Sequence, residues 1–491
     1  MKLLHKIDYI PRKGEAMAVF LCEESAKNPL ARELGWAEKI KETIDLKYFR
    51  GKSNETIFIP MTDGTCVLLC GLGSEKKITG ETIRNASSGA VSIFREKGIK
   101  TAGIRILEAG DITQKDAALL AVEGLYLSNY VFDRYKAKLK EGNSMPLDRA
   151  VIISDSDLSD ELNTISIISE NTNLCRDIIN ETSDNCNSET MSALAKKISK
   201  TAGISCTIYG RKEIERMKMG LLLAVNRGSK RDPQLAVMKY SGNPGSGKSI
   251  AIIGKGITFD SGGMNLKPSG HIENMRSDMS GAAAVIYTLK SAAELKLKKN
   301  VYGIIPLTDN MISNDSYRPG DIFRSYSGKT VEIGNTDAEG RLILADALSF
   351  TEEKLKPDIM IDIATLTGAC IIALGETVAG YLTGDEGLAG LLEAASAESG
   401  DRVWRLPIVD EYEENMKSDI ADINNVSSEK NAGTIMGAIF LKNFVKSSRW
   451  AHIDIAGTSW YSKPRGYRPK NATGFGVRLL TAAIKNWNEK D

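Results

Sequence analysis

Three segments of this chain set charged side chains directly against apolar runs. They are "GKGITFDSGGMNLK" with Lys255, Asp260 and Lys267, "MRSDMSGAAAV" with Asp278, and "NTDAEGRLILADAL" with Asp337, Glu339 and Arg341. The carboxylates of Asp260, Asp278, Asp337 and Glu339, if brought together, would repel one another and need raised pKa values, whereas a pair of divalent cations would cancel their charge. The histidines are only His5, His271 and His452, too few for a histidine-based zinc site, and oxygen donors suit Mn, Mg or Zn. Lys255 follows the apolar run "SIAIIG" and sits between glycines, where burial would lower its pKa and make a neutral amine available as a ligand. Asp260 lies in a Ser-Gly-Gly loop that lets the backbone come close to whatever the carboxylate holds.

Each residue also has a plainer reading. Asp278 could cap a helix beginning near Ser280, and Thr336 with Glu339 fits a capping box. Asp260 could be a turn residue, Lys255 a solvated strand end, and His271 a loop histidine facing solvent or a carbonyl. A Ser-His-Asp scheme would need a histidine in a setting that neither His271 nor His452 has. The metal reading gains its weight from the co-occurrence of all these residues.

The elements that must position them alternate. "EAMAVFLC", "TIFIPM", "CVLLCGLG", "AGIRILEA" and "DRAVIISD" read as strands, with helices over "ETIRNASSGAVSIFREKG" and "KDAALLAVEGLYLSNYVFDRYK". Farther on, "QLAVMKY", "SIAIIGKGI", "NVYGIIPL", "DIMIDIATL" and "WAHIDIAG" read as buried strands, between helices such as "GAAAVIYTLKSAAELKL", "GRLILADALSF" and "GFGVRLLTAAIKNW". The fold class is therefore α/β in two domains. Residues 1–160 form a smaller N-terminal α/β domain and 161–185 a linker helix region, and 186–491 form a larger catalytic α/β domain with a central mixed sheet flanked by helices. Sites are expected at strand ends of such sheets.

Composition narrows the partners. With 64 Lys plus Arg against 63 Asp plus Glu, no global field draws the chain to nucleic acid or anionic membrane. Seven cysteines with no C-x-x-C pair read as reduced thiols, and no export signal or membrane-length apolar run is visible, so the expected location is cytoplasmic. "GNPGSGKS", residues 242–249, matches the nucleotide-binding P-loop pattern, but a strand-like run follows where a phosphate-binding helix should begin, so the match reads as accidental.

"GKGITFDSGG", "MRSDMSGAAAV" and above all "NTDAEGRL" resemble the leucyl (cytosol) aminopeptidase family of two-metal exopeptidases, and "YRPGDI", "IDIATLTGAC" and "HIDIAGTSW" extend the likeness from about residue 180 onward. The resemblance implies that Lys255, Asp260, Asp278, Asp337 and Glu339 are the ligands of two divalent ions, Mn or Zn foremost, with Mg or Co as further options. It gives Asp260 and Glu339 to both ions, Lys255 and Asp278 to the exchange-prone ion that also receives the substrate's α-amine, and Asp337 to the other. It makes Lys267 the oxyanion stabiliser and Arg341 the anchor of a bicarbonate-like anion acting as general base, with Lys267 charged and Lys255 neutral. Met275 and Ala456 match the first side-chain pocket, favouring apolar N-terminal residues such as Leu. Short peptides are the implied substrates and a homohexamer the implied assembly. A DNA-binding or regulatory role on the same fold is the alternative, with little support from the near-neutral charge.

Overall fold

Ile250–Gly254 and Ile359–Ala364 are buried at every position, and such runs form strands only where both sheet faces are covered. In the computed structural model, which describes residues 1–27, 37–106, 109–137 and 145–488, these strands lie side by side in parallel at the centre of a nine-stranded mixed sheet. Across it the order is Val403–Arg405, Ala379–Thr383, Arg449–Asp454, Ile359–Ala364, Ile250–Gly254, Asn300–Asn310, Gln234–Ser241 and Ser205–Tyr209, with Gly256–Asp260 paired to Asn300–Asn310 off that path. The four strands from Arg449–Asp454 to Asn300–Asn310 run parallel, so their C-terminal ends share one edge.

Side chains alternate between two cores. Ile250, Ile252, Ile359 and Ile361 pack with the helices Ser188–Ala202, Ser280–Glu294, Glu386–Ser399 and Val477–Asn486. Ala251, Ile253 and Met360 pack on the other face with Gly220–Asn226, Glu339–Phe350 and Gly433–Lys442.

The N-terminal unit has its own six-stranded sheet, ordered Lys2–Lys6, Arg149–Ile153, Thr101–Ile106, Ala16–Leu21, Cys66–Gly71 and Thr56–Pro60. All its pairings are parallel except at the Thr56–Pro60 edge. The chain divides into residues 1–173 with 462–470 and residues 174–461 with 471–491, so the division falls within the helix Ser159–Asn180.

Some expectations need correction. The helix read from "KDAALLAVEGLYLSNYVFDRYK" runs only over Gln114–Ser128. Asn129 leaves it, its side chain accepting from Leu147 N and donating to Leu147 O, both at 2.8 Å. The strand at "AGIRILEA" is seen to Ile106, and residues 107–108 lie outside the described residues. At "GNPGSGKS", Lys248 pairs with Asp358 at 2.7 Å and Ser249 N donates to the same carboxylate. The strand Ile250–Gly254 starts at the next residue, where a phosphate-binding helix would have to begin.

Asp346 ties the second core together. Its buried carboxylate accepts from the backbone N–H groups of Leu221, Leu222 and Tyr326 at 2.7 to 3.0 Å. Burial pushes its pKa up to about 7 from 3.8, and the three donors oppose that rise. Folding therefore favours the protonated form, and the stabilisation this contributes is complete below the unfolded value and lost as pH rises through about 7. Asp346→Asn matches the protonated acid in size and cannot ionise, so in denaturant unfolding it should gain stability relative to the parent as pH rises through about 7. A gap between variant and parent that stays constant across that range would contradict the assignment.

Candidate active site

The shared C-terminal edge of the parallel strands carries the charged residues. Lys255 directly follows Gly254, Thr365 follows Ala364, and Asn310 and Asp260 close their own strands. Asp278 lies just before the helix Ser280–Glu294, and Glu339 is the first residue of Glu339–Phe350, where the positive end of the helix dipole favours a carboxylate. Neither plainer reading holds, because both of these helices begin without a side-chain cap. Thr336 instead donates to Gly262 O at 2.6 Å and accepts from Asn265 N at 2.9 Å, fastening two loops together.

Two lysines hold four carboxylates. Lys255 Nζ lies 2.8 Å from Asp278 Oδ2, 2.9 Å from Glu339 Oε1 and 2.8 Å from the Thr365 carbonyl. Lys267 Nζ lies 2.8 Å from Asp260 Oδ2 and 2.6 Å from Asp337 Oδ1. Gly340 makes room for the first lysine, since a Cβ there would stand 2.4 Å from Lys255 Cε. Gly262, at φ +88°, turns the loop so that its N–H donates to Asp260 Oδ1 at 2.9 Å. Carboxylate oxygens of Asp260, Asp337 and Glu339 come within 4.8 Å of one another, close enough to hold a metal ion.

The electrostatics show what is missing from the set. Burial, then the neighbouring carboxylates, pushes Asp278, Asp337 and Glu339 toward the neutral acid, against the pull of the lysines. Burial works against the charge of Lys255 and Lys267, but the carboxylates outweigh it and hold both ammoniums above their ordinary range. Lys267 is held charged, as expected, and Lys255 is held charged as well while its partners are Asp278 and Glu339. Asp278 and Glu339 lie so close to Lys255 that attraction defeats desolvation. The lysines and carboxylates thus make opposite demands. The short N–O distances favour charged pairs, leaving carboxylate charge in excess, and Glu339 Oε2 is buried without a hydrogen-bond partner. Hard oxygen donors, excess negative charge and an unsatisfied acceptor together fit a divalent cation.

The carboxylates form the floor of a cavity of about 630 Å³. Its lining includes Lys255, Asp260, Lys267, Asp278, Asp337, Glu339, Met275 and Ala456, so eight of the nine residues singled out in the sequence meet there. Arg341 is the ninth and does not line it. Arg341 is buried two residues after Glu339 on the same helix, donating to Asn425 O at 2.9 Å, and burial lowers its pKa to about 10. His271 does reach the lining, while remaining exposed. His452 is fully buried beside Asp362, with Nδ1 2.6 Å from the carboxylate, and is absent from the lining.

Residues not singled out hold the charged set in place. Thr365 donates to Asp278 Oδ1 at 2.6 Å, Asn310 Nδ2 donates to Asp260 Oδ1 at 2.8 Å, and Tyr317 OH donates to Thr336 O at 2.7 Å. The signal for Thr365 was its position straight after an apolar strand. Asn310 was hidden because its strand runs past the apolar segment "NVYGIIPL".

Fold and site together define a class: an α/β protein with an acidic cavity, able to hold a cation, at the strand ends of a mixed sheet. The catalytic domain of the cytosol aminopeptidase family matches residues 173–481, and that family's N-terminal domain matches residues 18–139. The chain belongs to the cytosol aminopeptidase family and is thus a peptidase hydrolase of a metal-dependent kind. A probable cytosol aminopeptidase of Protochlamydia amoebophila is 43% identical over 445 residues, 89% of each chain. One of Aquifex aeolicus is 39% identical over 485 residues, 98% of this chain and 97% of the relative. Among solved structures, the bottromycin maturation enzyme BotP in complex with Mn superposes with a TM-score of 0.86 at 30% identity, covering 96% of this chain and 99% of that one.

Proposed function

We propose that this chain is a two-metal aminopeptidase that releases N-terminal residues, Leu and other apolar ones foremost, from short peptides. The observation that carries the reading is the convergence of Asp260, Asp278, Asp337 and Glu339 with Lys255 on one cavity floor, with Glu339 Oε2 left unsatisfied. When bound, two divalent ions lower the pKa of a shared water and polarise the scissile carbonyl. Asp260, Asp337 and Glu339 would hold these ions together with Asp278 and Lys255. Mn or Zn is the proposed metal.

The side chains do the rest. Lys255 would give up its proton to serve as an amine donor, so loading the site would release a proton. Lys267, on the cavity wall, offers a fixed cation to the charge that develops on the carbonyl oxygen in the transition state. Arg341, buried and charged at neutral pH, would anchor a bicarbonate-like anion acting as general base. Met275 and Ala456 on the lining favour an apolar first residue. A homohexamer in the cytoplasm completes the proposal, and none of the described helices is long and apolar enough to cross a membrane.

Leucine amide hydrolysis by the purified protein should vanish on chelation and return with Mn or Zn, and gel filtration should place the protein at six times the 53.4 kDa subunit. Chelator-resistant hydrolysis would overturn the metal mechanism, and elution at monomer size would overturn the hexamer.

A further inference from the structure

The parallel strands Ile359–Ala364 and Arg449–Asp454 stay in register as far as Ala364 and Asp454, and Ile455 N still donates to Ala364 O at 2.8 Å. The two loops that follow form one wall of the catalytic cavity, with Leu366 and Thr367 from the first and Ala456 from the second. Where the ladder ends, a side chain takes over. Asp454 is fully buried and does not itself line the cavity. Its Oδ1 accepts from Leu366 N and from Ala456 N, each at 3.1 Å, and its Oδ2 accepts from Thr367 Oγ1 at 2.6 Å. All three donors belong to residues of the cavity lining.

The tie extends outward from those donors. Thr367 Oγ1 also accepts from Cys370 N at 3.2 Å, capping the helix Gly368–Leu374, and lies 3.0 Å from Thr434 Oγ1. Thr365, the neighbour of Leu366, donates to Asp278 Oδ1 and takes Lys255 Nζ on its carbonyl. One carboxylate thus fixes the segment that supports Asp278 against the loop that carries Ala456. Burial pushes the pKa of Asp454 up, while His452 and the three donors oppose the rise. An apolar side chain would serve the core without that desolvation, so what the carboxylate contributes is the alignment of its donors. Groups that act on a site in this way are rigid and fully satisfied, and Asp454 is both buried and bonded at each oxygen.

We infer that Asp454 is a positioning residue of the catalytic cavity, holding the segment 365–367 and Ala456 at the spacing that shapes the first side-chain pocket and supports Asp278 among the metal ligands. The inference rests on the aminopeptidase reading of that cavity. Asp454→Ala, Asp454→Asn and Thr367→Val test it in the full-length protein, by calorimetric titration of the chelator-treated chain with MnCl2 and by the ratio of kcat/KM for leucine amide to that for alanine amide. Asp454→Ala strands all three donors and should bind Mn about 10–100-fold more weakly, as when a group that orients a ligand is lost, and forfeit about tenfold of its preference for Leu over Ala. Thr367→Val deletes one donor and keeps the shape, so it should show a smaller loss in both readouts even where Asp454→Ala fails to fold. Asp454→Asn should restore both. Its amide oxygen takes the two N–H groups and its NH2 donates to Thr367 Oγ1, whose hydroxyl then turns to Thr434. Loss of charge near Arg341 lowers both rates alike and cancels in the ratio. Parental Mn affinity and preference in Asp454→Ala and Thr367→Val, or an Asp454→Asn variant as impaired as Asp454→Ala, would overturn the inference. A parent that binds Mn without cleaving either amide would instead overturn the aminopeptidase reading, and the Mn titrations would still decide whether Asp454 positions the ligand set.

Discussion

Glu339→Gln should lower kcat/KM for leucine amide by on the order of a thousandfold, and the purified variant should carry less metal than the parent. Partners that merely orient a metal ligand cost about 10–100-fold when removed, so loss of a donor from the cluster itself should cost more. Glu339 is the sharpest choice because Gln keeps its size and its place at the start of the helix Glu339–Phe350. It changes only the charge and one acceptor oxygen. The parent carboxylate has Oε1 2.9 Å from Lys255 and Oε2 buried without a partner. Gln puts an amide NH2 at one of these positions, facing either an ammonium or the place a cation would take, and neither accepts it. Metal analysis of the dialysed variant, read beside steady-state kinetics, separates the two ways of failing. Normal metal content with full activity would remove Glu339 from the site.

The same cluster shows why the protonation of a site residue cannot be read from its own place in the chain. Lys255 stands after an apolar strand, and burial alone would lower its pKa. What cannot be seen along the chain is that Asp278, from a segment 23 residues on, and Glu339, from the start of a later helix, both come within 3 Å of its nitrogen. The sign of the shift depends on that convergence. The site residues themselves were legible because strand ends in a doubly covered sheet expose the few polar side chains that adjoin long apolar runs. Arg341 was legible by motif, but its absence from the cavity lining was not, since helical spacing tells which face a residue takes and not how far its head group reaches.

The fold was read unevenly for similar reasons. The continuous apolar strands were found. Ala379–Thr383, "AGYLT", went unread because a glycine and a tyrosine break the apolar run, although antiparallel pairing with Arg449–Asp454 makes it a fully buried strand. The helix Glu386–Ser399 also went unread, despite a capping Asp385 that accepts from Leu388 N and a left-handed Gly400 at its end. Its small apolar residues carry weak periodicity, and the caps were its clearest signal. The segment 462–470 belongs to the N-terminal unit although it lies near the end of the chain, and no local pattern announces such a return.

Lys267→Met should lower kcat by about 10²–10³-fold while leaving KM nearly unchanged, the pattern for an interaction made only in the transition state. The geometry offers Lys267 two distinct roles. Its ammonium lies 2.8 Å from Asp260 and 2.6 Å from Asp337, so it could serve merely as a counter-ion that keeps repelling carboxylates together. It also lines the cavity, which a purely structural counter-ion need not do. Methionine keeps most of the side chain's bulk and removes the charge, so the roles separate in the readout. A counter-ion's loss would spread the carboxylates, and metal content and KM would move with kcat. An oxyanion stabiliser's loss leaves metal content and substrate binding in place, because added divalent charge compensates the carboxylates once the site is loaded. Metal content equal to the parent's with kcat depressed would establish the second role. Equal losses in metal occupancy and rate, rescued together by excess metal, would reduce Lys267 to the first.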